Sequence, residues 1–580
     1  MESRGFLHGL EYDYSATTEC LEEPWGVQYT GGILENPGFD NGAQGWRNFG
    51  DGDIKINKTK GGNKFIGSFR GDSLSQRVLL EQGIIYAFSG WMQVSEGNAT
   101  ISLMFKTPNG VQIYGGGVMA QQGCWRMLKG GIVSNFSGPA HMILKSSNTA
   151  AVEIWADNVA LQPFTHTQWR SHQDRTIQKV RKSIVNFHTT FSNRSRVTGT
   201  KIITLRNIKP HFPIGSVIND KILTSPAYQN WLSSRFTVTT FENEMKWYAT
   251  ENVQGKEDYR VADAMLEFAE KHRIAVRGHN ILWDDPKYQP YWVYNLSPAQ
   301  FQVAVQKRIN SVVSRYRGRV IHWDVINENV HFNFFENKLG RDISAVTYER
   351  VHQLDSSPFL FMNEYNTIEE VGDMVVAPDM YLRKLHNIMA HSGNARLPLG
   401  IGLESRFAIG KPNLAYMRAG MDTLGATRLP LWLTEVFVDQ QQDQAQILEQ
   451  VLREGYSHPA VKGIVIWPSS PLKDQCKMCF TDTNFRNTPN GDVVDKLIHE
   501  WGSKNEEITV ECDGSCSISL AHGYYEGFGG YIYLMSSLRE GKVYDVLGMK
   551  RRVPRTFCRP FPRGGYSPVS LVFVNYTSTP

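Results

Sequence analysis

The segment VIHWDVINEN, residues 320–329, decides the fold. Its first seven residues are mostly apolar, with His322 and Asp324 among them, which is typical of a strand buried in a parallel sheet, and it closes on polar residues. Seven more runs of this kind lie between residues 211 and 500, with amphipathic stretches between them. They begin at Pro213, Phe236, Ile274, Phe359, Pro398, Leu429 and Gly463. Eight strand–helix alternations predict an α/β fold of the (β/α)8 barrel type, with its chemistry at the carboxyl ends of the strands.

The chain on either side of this barrel has a different character. Residues 31–165 contain short alternating runs separated by Gly- and Asn-rich turns, which predict a β-sandwich of the jelly-roll kind. Residues 1–30 read as a leader and residues 166–210 as a connector. Residues 501–580 read as a β-like extension that ends in a basic, Pro-rich tail. The sequence therefore predicts two main domains.

Charge and hydropathy exclude several classes of partner. The chain has 61 basic and 57 acidic residues, a balance too even to indicate nucleic acid or an anionic membrane. No apolar run approaches the roughly 18 residues that a membrane span requires. We expect a monomer. The start MESRGFLHGLEYDY lacks the apolar stretch of a signal peptide, so a secreted protein would need either a longer start or an unconventional route.

Seven cysteines leave two interpretations open. Cys476 and Cys479 form a CxxC pattern, and Cys512 and Cys516 form a CxxxC pattern, so the four together are candidate zinc ligands. No histidines cluster nearby, and disulfides or free thiols explain the spacing as well. We favour the second interpretation and expect no metal.

Three glutamates stand where barrel strands should end: Glu328 in WDVINEN, Glu364 in FMNEYN and Glu435 in WLTEV. Hydrolysis of a glycosidic bond needs one carboxyl group that protonates the leaving oxygen and a second that attacks the sugar or activates water. Each glutamate alone is unremarkable, but several at one barrel mouth indicate a glycosidase. Neither a Gly-rich phosphate loop nor an HExxH motif supports a rival barrel chemistry.

The same segments carry a family resemblance. FENEMKWYATE, VRGHNILWD, VIHWDVINENVH, LFMNEYNTIE, GIGLES and LPLWLTEV resemble, in order and spacing, the blocks of glycoside hydrolase family 10, especially its plant members. That family consists of endo-β-1,4-xylanases. Residues 31–165 resemble a family 22 carbohydrate-binding module through NPGFDNGAQGW and VEIWADNVALQPF. The resemblance implies endo-acting xylan hydrolysis without a cofactor, by a protein of the cell wall or extracellular space.

The resemblance also implies roles for individual residues. Glu328 would be the general acid/base and Glu435 the nucleophile, with their carboxyl groups about 5–5.5 Å apart and net retention of configuration. Asn327 would hold the 2-hydroxyl of the sugar being cleaved. Glu364 has no catalytic counterpart in the family, and we interpret it as a buried structural carboxylate or a partner of the site. The remaining substrate-binding residues would be Glu242, Asn243, Lys246, His279, Trp283 and Trp467.

Two positions depart from the family pattern. A histidine that hydrogen-bonds the nucleophile is replaced by Arg406, and the aspartate that orients this histidine is replaced by Phe437. A permanently charged Arg406 needs no orienting carboxylate and is able to pair with Glu435 directly, as a bidentate clamp that would slow attack. The alternative, in which Arg406 has no functional role, is that Arg406 points to solvent and Glu435 loses a hydrogen-bond partner.

The prediction is thus a retaining endo-1,4-β-xylanase whose sandwich module holds insoluble xylan near the barrel and raises its effective concentration. The first alternative is a weakened or inactive xylan-binding protein of the same architecture, and the second is a barrel glycosidase for another β-glucan. In the sandwich we expect Trp125 in the core, and we regard Trp91 and Tyr114 as weak candidates for ligand contact.

Overall fold

The computed structural model of the chain describes residues 11–69, 73–146, 152–188, 200–469, 472, 476–502, 507–513, 515–527 and 530–534. The N-terminal module is built from ten antiparallel strands in two sheets of order β1-β4-β9-β6-β7 and β2-β3-β10-β5-β8. Its strands are β1 Trp46–Arg47, β2 Asp53–Lys58, β3 Lys64–Phe69, β4 Ser73–Leu80, β5 Ile85–Val94, β6 Asn98–Lys106, β7 Gln112–Gln121, β8 Arg126–Val133, β9 Gly138–Ser146 and β10 Ile154–Phe164. Two antiparallel sheets agree with the predicted sandwich.

The next segment joins the module to the barrel. Helix α1 (His166–Arg181) begins at a capping box in which Thr165 and Gln168 satisfy each other's backbone N–H groups. Strands β11 (Lys182–His188) and β12 (Thr200–Pro210) follow.

The barrel is closed by eight parallel strands, and each of the eight predicted runs contributes one of them. Its ring runs β13-β14-β15-β17-β19-β20-β22-β23 and closes through the pairing of β23 with β13. The strands of this region are β13 Ile214–Ile218, β14 Val238–Phe241, β15 Ala275–Gly278, β16 Leu282–Trp283, β17 His322–Asp324, β18 Ile326–Asn327, β19 Phe359–Glu364, β20 Leu399–Leu403, β21 Arg406–Phe407, β22 Leu431–Val438 and β23 Val461–Ile466. The predicted (β/α)8 fold is confirmed.

Helices surround the ring because each crossover must cover one face of a parallel sheet. They are α2 Pro226–Arg235, α3 Trp247–Thr250, α4 Arg260–Lys271, α5 Pro298–Arg315, α6 Phe334–Leu339, α7 Ile343–Leu354, α8 Pro378–Met389, α9 Leu414–Gly425, α10 Gln444–Ser457 and α11 Pro489–Glu500. Among the described residues, none of these helices is both long and apolar enough to cross a membrane.

The C-terminal strands return to the segment that precedes the barrel. Strands β24 (Glu507–Asp513), β25 (Ser515–Ala521), β26 (Gly523–Gly527) and β27 (Gly530–Leu534) form one six-stranded sheet with β11 and β12, in the order β11-β25-β24-β12-β26-β27. The sequence analysis did not anticipate this pairing between residues 182–210 and 507–534. The basic tail lies outside the described residues.

The module packs directly on the barrel. Lys129 of β8 forms a buried ion pair with Asp422 of α9 at 2.6 Å, and the Tyr12 hydroxyl donates to the same carboxylate at 2.7 Å. Gly131 has φ +150°, and a Cβ there would lie 2.7 Å from the Ala415 side chain of α9, so the close approach requires glycine. Residues 11–30, expected as a leader, therefore include part of a buried interface through Tyr12.

Candidate active site

The predicted site residues follow the ends of neighbouring parallel strands. Glu242 and Asn243 come after β14, His279 comes after β15, and Trp467 comes after β23. Glu328 comes directly after the short strand β18. Because the carboxyl ends of parallel strands meet at one rim, this order gathers the side chains at one mouth of the barrel.

Glu435 is buried in β22 and has three polar neighbours. Arg406 Nη2 lies 2.5 Å from Glu435 Oε2, and Asn363 Nδ2 donates to Glu435 Oε1 at 3.2 Å. His279 Nε2 is 3.9 Å from the same Oε1. Burial alone would raise the pKa of Glu435, but the charge of Arg406, the polar His279 ring and the charge of Lys246 hold that pKa below its usual value. The carboxyl group is therefore ionised at neutral pH.

Glu328 has the opposite electrostatic character. Its backbone has φ +57° and its N–H donates to the Asn363 carbonyl at 2.9 Å, a contact that fixes the residue at the strand end. Burial raises the pKa of Glu328 to about 8, and the negative charges of Glu364 and Glu435 act in the same direction against the influence of Trp283 and Arg406. Glu328 therefore carries a proton at neutral pH.

Arg406 divides its guanidinium between two carboxylates. Its Nε lies 3.2 Å from Glu404 Oε2, while its Nη2 contacts Glu435. The expected ion pair between Arg406 and Glu435 is present, so Arg406 does not simply point to solvent. Arg406 does not bind Glu435 through two hydrogen bonds, as expected, but bridges Glu404 and Glu435. Phe437 lies directly opposite Arg406 in the parallel pairing of β21 with β22. The two departures from the family pattern therefore occupy adjacent positions.

Glu404 is a carboxyl group that sequence reasoning overlooked. Its burial, together with the negative charges of Glu435 and Glu328, raises the pKa of Glu404 well above its usual value. Asn363, also overlooked, donates to Asn327 Oδ1 at 2.9 Å and to Glu404 Oε1 at 3.4 Å. Both residues lie in quoted segments at strand ends, so their position was a usable signal, but their charges and contacts were not visible in the sequence.

The predicted sugar-binding residues form an aromatic and cationic group. The Lys246 ammonium lies 4.4 Å from the Trp283 ring centroid, and Trp283 stacks on Tyr288 with ring centroids 4.0 Å apart. Burial lowers the pKa of Lys246, opposed by the nearby carboxylates. Asn243 Oδ1 accepts from the Tyr248 hydroxyl at 2.7 Å. Lys246, Trp283 and Tyr288 thus provide a flat surface beside one buried positive charge.

Glu242 is hydrogen-bonded to the end of the neighbouring strand. Its Oε2 accepts from Asn219 Nδ2 at 3.0 Å, across the ends of β13 and β14.

His279 is oriented from behind by a buried charge pair. Its Nδ1 lies 2.9 Å from Asp324 Oδ2, and Arg277 Nη2 holds Asp324 Oδ1 at 2.6 Å. Burial lowers the pKa of His279, so the imidazole is neutral and its Nδ1–H donates to Asp324. The Trp467 ring lies edge-on to the His279 ring, with centroids 5.6 Å apart. Arg277 and Asp324 therefore fix the orientation of His279, which lies beside Glu435.

Glu364 is hydrogen-bonded to His331 and to the backbone rather than facing the other carboxyl groups as a free acid. It is fully buried, and its carboxylate contacts His331 Nδ1 at 2.7 Å and accepts from the Val330 N–H at 2.9 Å. The opposite ring nitrogen, His331 Nε2, lies 2.8 Å from Asp373 Oδ2. Burial would lower the pKa of His331, but the two carboxylates raise it to about 8. This agrees with the interpretation of Glu364 as a buried structural carboxylate beside the site.

Comparisons with known proteins now decide the family. The family described as "Glycosyl hydrolase family 10" matches residues 205–490. Endo-1,4-beta-xylanase 5-like of Arabidopsis thaliana is 42% identical over 525 residues, which cover 89% of this chain and 89% of that protein. The chain belongs to glycosyl hydrolase family 10.

Other relatives have similar coverage. Endo-1,4-beta-xylanase 4 of Arabidopsis thaliana is 41% identical over 530 residues, again 89% of each chain. The solved structure of xylanase 10B from Thermotoga petrophila RKU-1 in complex with xylobiose is 21% identical, covers 50% of this chain and 95% of that one, and has a TM-score of 0.44.

The cysteines of this family 10 chain were the candidates for a metal site. Disulfides join Cys20 to Cys124 and Cys476 to Cys479. No group of three or more His, Cys, Asp or Glu side chains within the described part of the chain is arranged to hold a metal. The side chains of Cys512 and Cys516 lie outside that part.

The aromatic residues of the module divide as follows. Trp125 is buried, as expected. Trp91 is only 1% exposed, so the prediction that it contacts a ligand is wrong. Tyr114 is 41% exposed.

Proposed function

We propose that the barrel hydrolyses β-1,4-xylosidic bonds inside xylan by a retaining double displacement. The proposal rests on the opposite pKa shifts of two buried carboxyl groups at the carboxyl ends of the barrel strands. Glu435 is held ionised by Arg406, whereas Glu328 keeps a proton because it is buried beside other negative charges. A pair of carboxyl groups with separated pKa values is the arrangement that glycoside hydrolysis needs.

In the first step, Glu328 donates its proton to the glycosidic oxygen while a carboxylate oxygen of Glu435 attacks the anomeric carbon. The bond to the leaving sugar breaks, and the glycosyl group becomes an ester of Glu435. The ester carries no charge, so the pKa of Glu328 falls at this stage. In the second step, Glu328 accepts a proton from water as that water attacks the anomeric carbon, and Glu435 leaves as a carboxylate.

Substrate recognition follows from the groups around the two carboxyls. Asn327, held by Asn363, is proposed to hydrogen-bond the 2-hydroxyl of the reacting sugar. Lys246, His279 and Trp283 are proposed to line the glycone side with Glu242 and Asn243, and Trp467 to pack on the reacting ring. The carboxyl separation of about 5–5.5 Å stays a prediction.

Arg406 favours a slowed form of this reaction. The ion pair with Glu435 stabilises the carboxylate, which must be consumed when the ester forms, so the contact opposes attack. A weakened hydrolase that mainly binds xylan is therefore the second candidate function, and the Arg406–Glu435 contact is the observation that favours it.

The remaining parts of the proposal concern setting and partners. The sandwich is proposed to be a carbohydrate-binding module, and the protein a monomer that acts outside the cell or in the cell wall on xylan. The Cys20–Cys124 disulfide supports an oxidising compartment.

The test is release of xylo-oligosaccharides from soluble xylan by the purified chain. We expect products of several lengths, and loss of activity in the Glu328→Gln and Glu435→Gln variants. Nuclear magnetic resonance of the first product should show the β-anomer. Cellulose serves as the comparison substrate. Products from cellulose but not xylan would overturn the substrate, and absence of any product from either polymer would leave the binding function.

A further inference from the structure

One face of the module carries positive charges in adjacent rows. In the sheet β1-β4-β9-β6-β7, Arg77 lies opposite His141, and His141 lies opposite Lys106. The next row begins with Arg47, which lies opposite Ser75. Residues opposite one another on paired strands point to the same face of a sheet, so the four basic side chains share a face. We call Arg47, Arg77, Lys106 and His141 the basic face.

This face is the outer one. The residues that alternate with it along the strands, among them Val78, Phe105 and Met142, are at most 5% exposed and form the module core. Arg47 and Arg77 are exposed, and Lys106 and His141 are half-buried. The period-2 alternation of the strands therefore sends the basic residues outward.

The three permanent charges of the basic face have no carboxylate partner among the described residues. Elsewhere in the module, Lys55, Arg126 and Lys129 each form an ion pair, at 3.0, 2.5 and 2.6 Å. The charges of Arg47, Arg77 and Lys106 instead act, together with burial, to lower the pKa of His141. Unneutralised cations gathered on one open face favour an anionic partner.

An aromatic ring lies among these charges. The Phe49 ring centroid is 5.4 Å from that of His141, and the Lys106 ammonium is 5.2 Å from the Phe49 centroid. Tyr114, which is 41% exposed, occupies the neighbouring row of the same face opposite Met104. Flat rings beside cations suit a polymer that combines sugar rings with acidic groups.

The same strand leads from the basic face to the barrel. Strand β7 runs from Gln112, opposite Lys106, to Gly117, where a Cβ would lie 2.4 Å from Met374 Cε. Two residues farther, the Met119 N–H donates to Asp379 at 2.9 Å. Five residues of strand span about 17 Å, so the basic face lies near the segment that joins β19 to α8.

That segment belongs to the barrel rim. It begins with Tyr365, which stacks on His331 with ring centroids 3.9 Å apart, and it includes Asp373 and Met374. The module is docked on this segment by Met374 and on the first turn of α8 by Asp379, so the distance between the basic face and the rim is fixed by packing.

We infer that the basic face binds a polysaccharide that bears carboxylate groups, such as a xylan substituted with uronic acids, and holds it beside the barrel mouth. The binding part of this inference stands on the module alone. The positioning part rests on the proposed function, because only a polymer-cleaving barrel benefits from a polymer held at its rim.

The experiment compares two forms of one polymer. Glucuronoxylan, and the same preparation after chemical reduction of its carboxyl groups to alcohols, are titrated at low ionic strength with the full chain carrying Glu435→Gln, which prevents cleavage. The test variant also carries Arg47→Gln, Arg77→Gln and Lys106→Gln. The matched control carries Lys58→Gln, Lys60→Gln and Lys179→Gln, which remove the same charge from exposed positions elsewhere.

We expect the parent chain to bind the acidic polymer about ten-fold more tightly than the reduced one, since three exposed ion pairs contribute modestly each. The test variant should lose this preference, and the matched control should keep it. Equal affinity of the parent for both polymers would overturn the inference, as would a preference that survives in the test variant. Displacement by dextran sulfate and by glucuronic acid polymers in proportion to charge alone would also overturn it, because the face would then be a general anion site. Hydrolysis of neutral xylohexaose by the unmodified chain is measured separately, so failure of the proposed function is seen independently of binding.

Discussion

Restoring the usual neighbour of the nucleophile should accelerate this enzyme. The perturbation is the double substitution Arg406→His with Phe437→Asp, which replaces the ion pair with an imidazole and gives that imidazole a carboxylate acceptor. Both positions are suitable because they lie directly opposite one another where β21 pairs with β22. We expect kcat on xylan to rise by about ten-fold.

The magnitude follows from the contact that is removed. Arg406 Nη2 lies 2.5 Å from Glu435 Oε2, and the Arg406 side chain is 40% exposed, so solvent screens the pair below the values of a fully buried one. An intermediate strength of about 1–2 kcal/mol is reasonable for such a pair. This stabilisation is lost as Glu435 becomes an ester, so it adds to the barrier, and about 1.4 kcal/mol corresponds to a factor of ten.

The assay is initial-rate release of reducing sugar from soluble xylan by four proteins: the parent, each single variant and the double variant. Arg406→His alone removes the same ion pair and should show part of this gain, reduced because its imidazole lacks the carboxylate acceptor. Phe437→Asp alone places a carboxylate opposite Arg406 and should draw the guanidinium from Glu435, with a gain smaller than that of the double variant. Arg260→His, at a fully exposed arginine, is the control for loss of one charge.

An unchanged or lower kcat in a double variant of normal thermal stability would refute this reasoning. Arg406 would then assist catalysis, because keeping Glu435 ionised would matter more for the rate than the energy of the ion pair that attack must break.

Three further predictions concern charge and stability. Because Glu328 must be protonated to act as the acid and its pKa is about 8, kcat/KM on xylan should fall as pH rises through about 8, and a flat profile to pH 10 would contradict its role. His331 has a pKa of about 8, above the usual 6.5, so protonated His331 stabilises the fold by about 2 kcal/mol. This stabilisation is fully present below pH 6.5 and is lost as pH rises past 8. Denaturant unfolding at pH 6 and pH 9 should show the loss in the parent but not in His331→Gln. Lys129→Met leaves Asp422 without its cation and should lower the free energy of unfolding by about 3 kcal/mol, whereas a change within 0.5 kcal/mol would show that Tyr12 and His458 suffice.

The barrel was predictable because its signal is local and repeated. Strands such as Ile214–Ile218 and Leu399–Leu403 lie inside the predicted apolar runs, and the parallel ring is the arrangement that buries eight such runs. The proposed site residues were chosen by their place at the ends of these runs together with the family resemblance.

The parts that escaped prediction depend on contacts between distant residues. The pairing of Lys182–His188 with Ser515–Ala521 joins segments more than three hundred residues apart, and neither segment is distinctive alone. The division of Arg406 between Glu404 and Glu435 depends on side-chain geometry, so the sequence indicated a pair but not a bridge. The raised pKa of Glu404 depends on its burial and on two other carboxyl groups in the same pocket.

The packing between module and barrel changes how the module contributes to the reaction. A flexible tether would raise the local concentration of polymer without orienting it. Here Asp422 is fully buried and bound at once by Lys129, Tyr12 and His458, from both sides of the interface. Separating the two bodies would expose these groups and break the pairs, and removal of one partner from a buried charge costs several kcal/mol. If the module binds the polymer as proposed, the polymer meets the barrel in one orientation, and cleavage should depend on the direction of the bound chain as well as on its concentration.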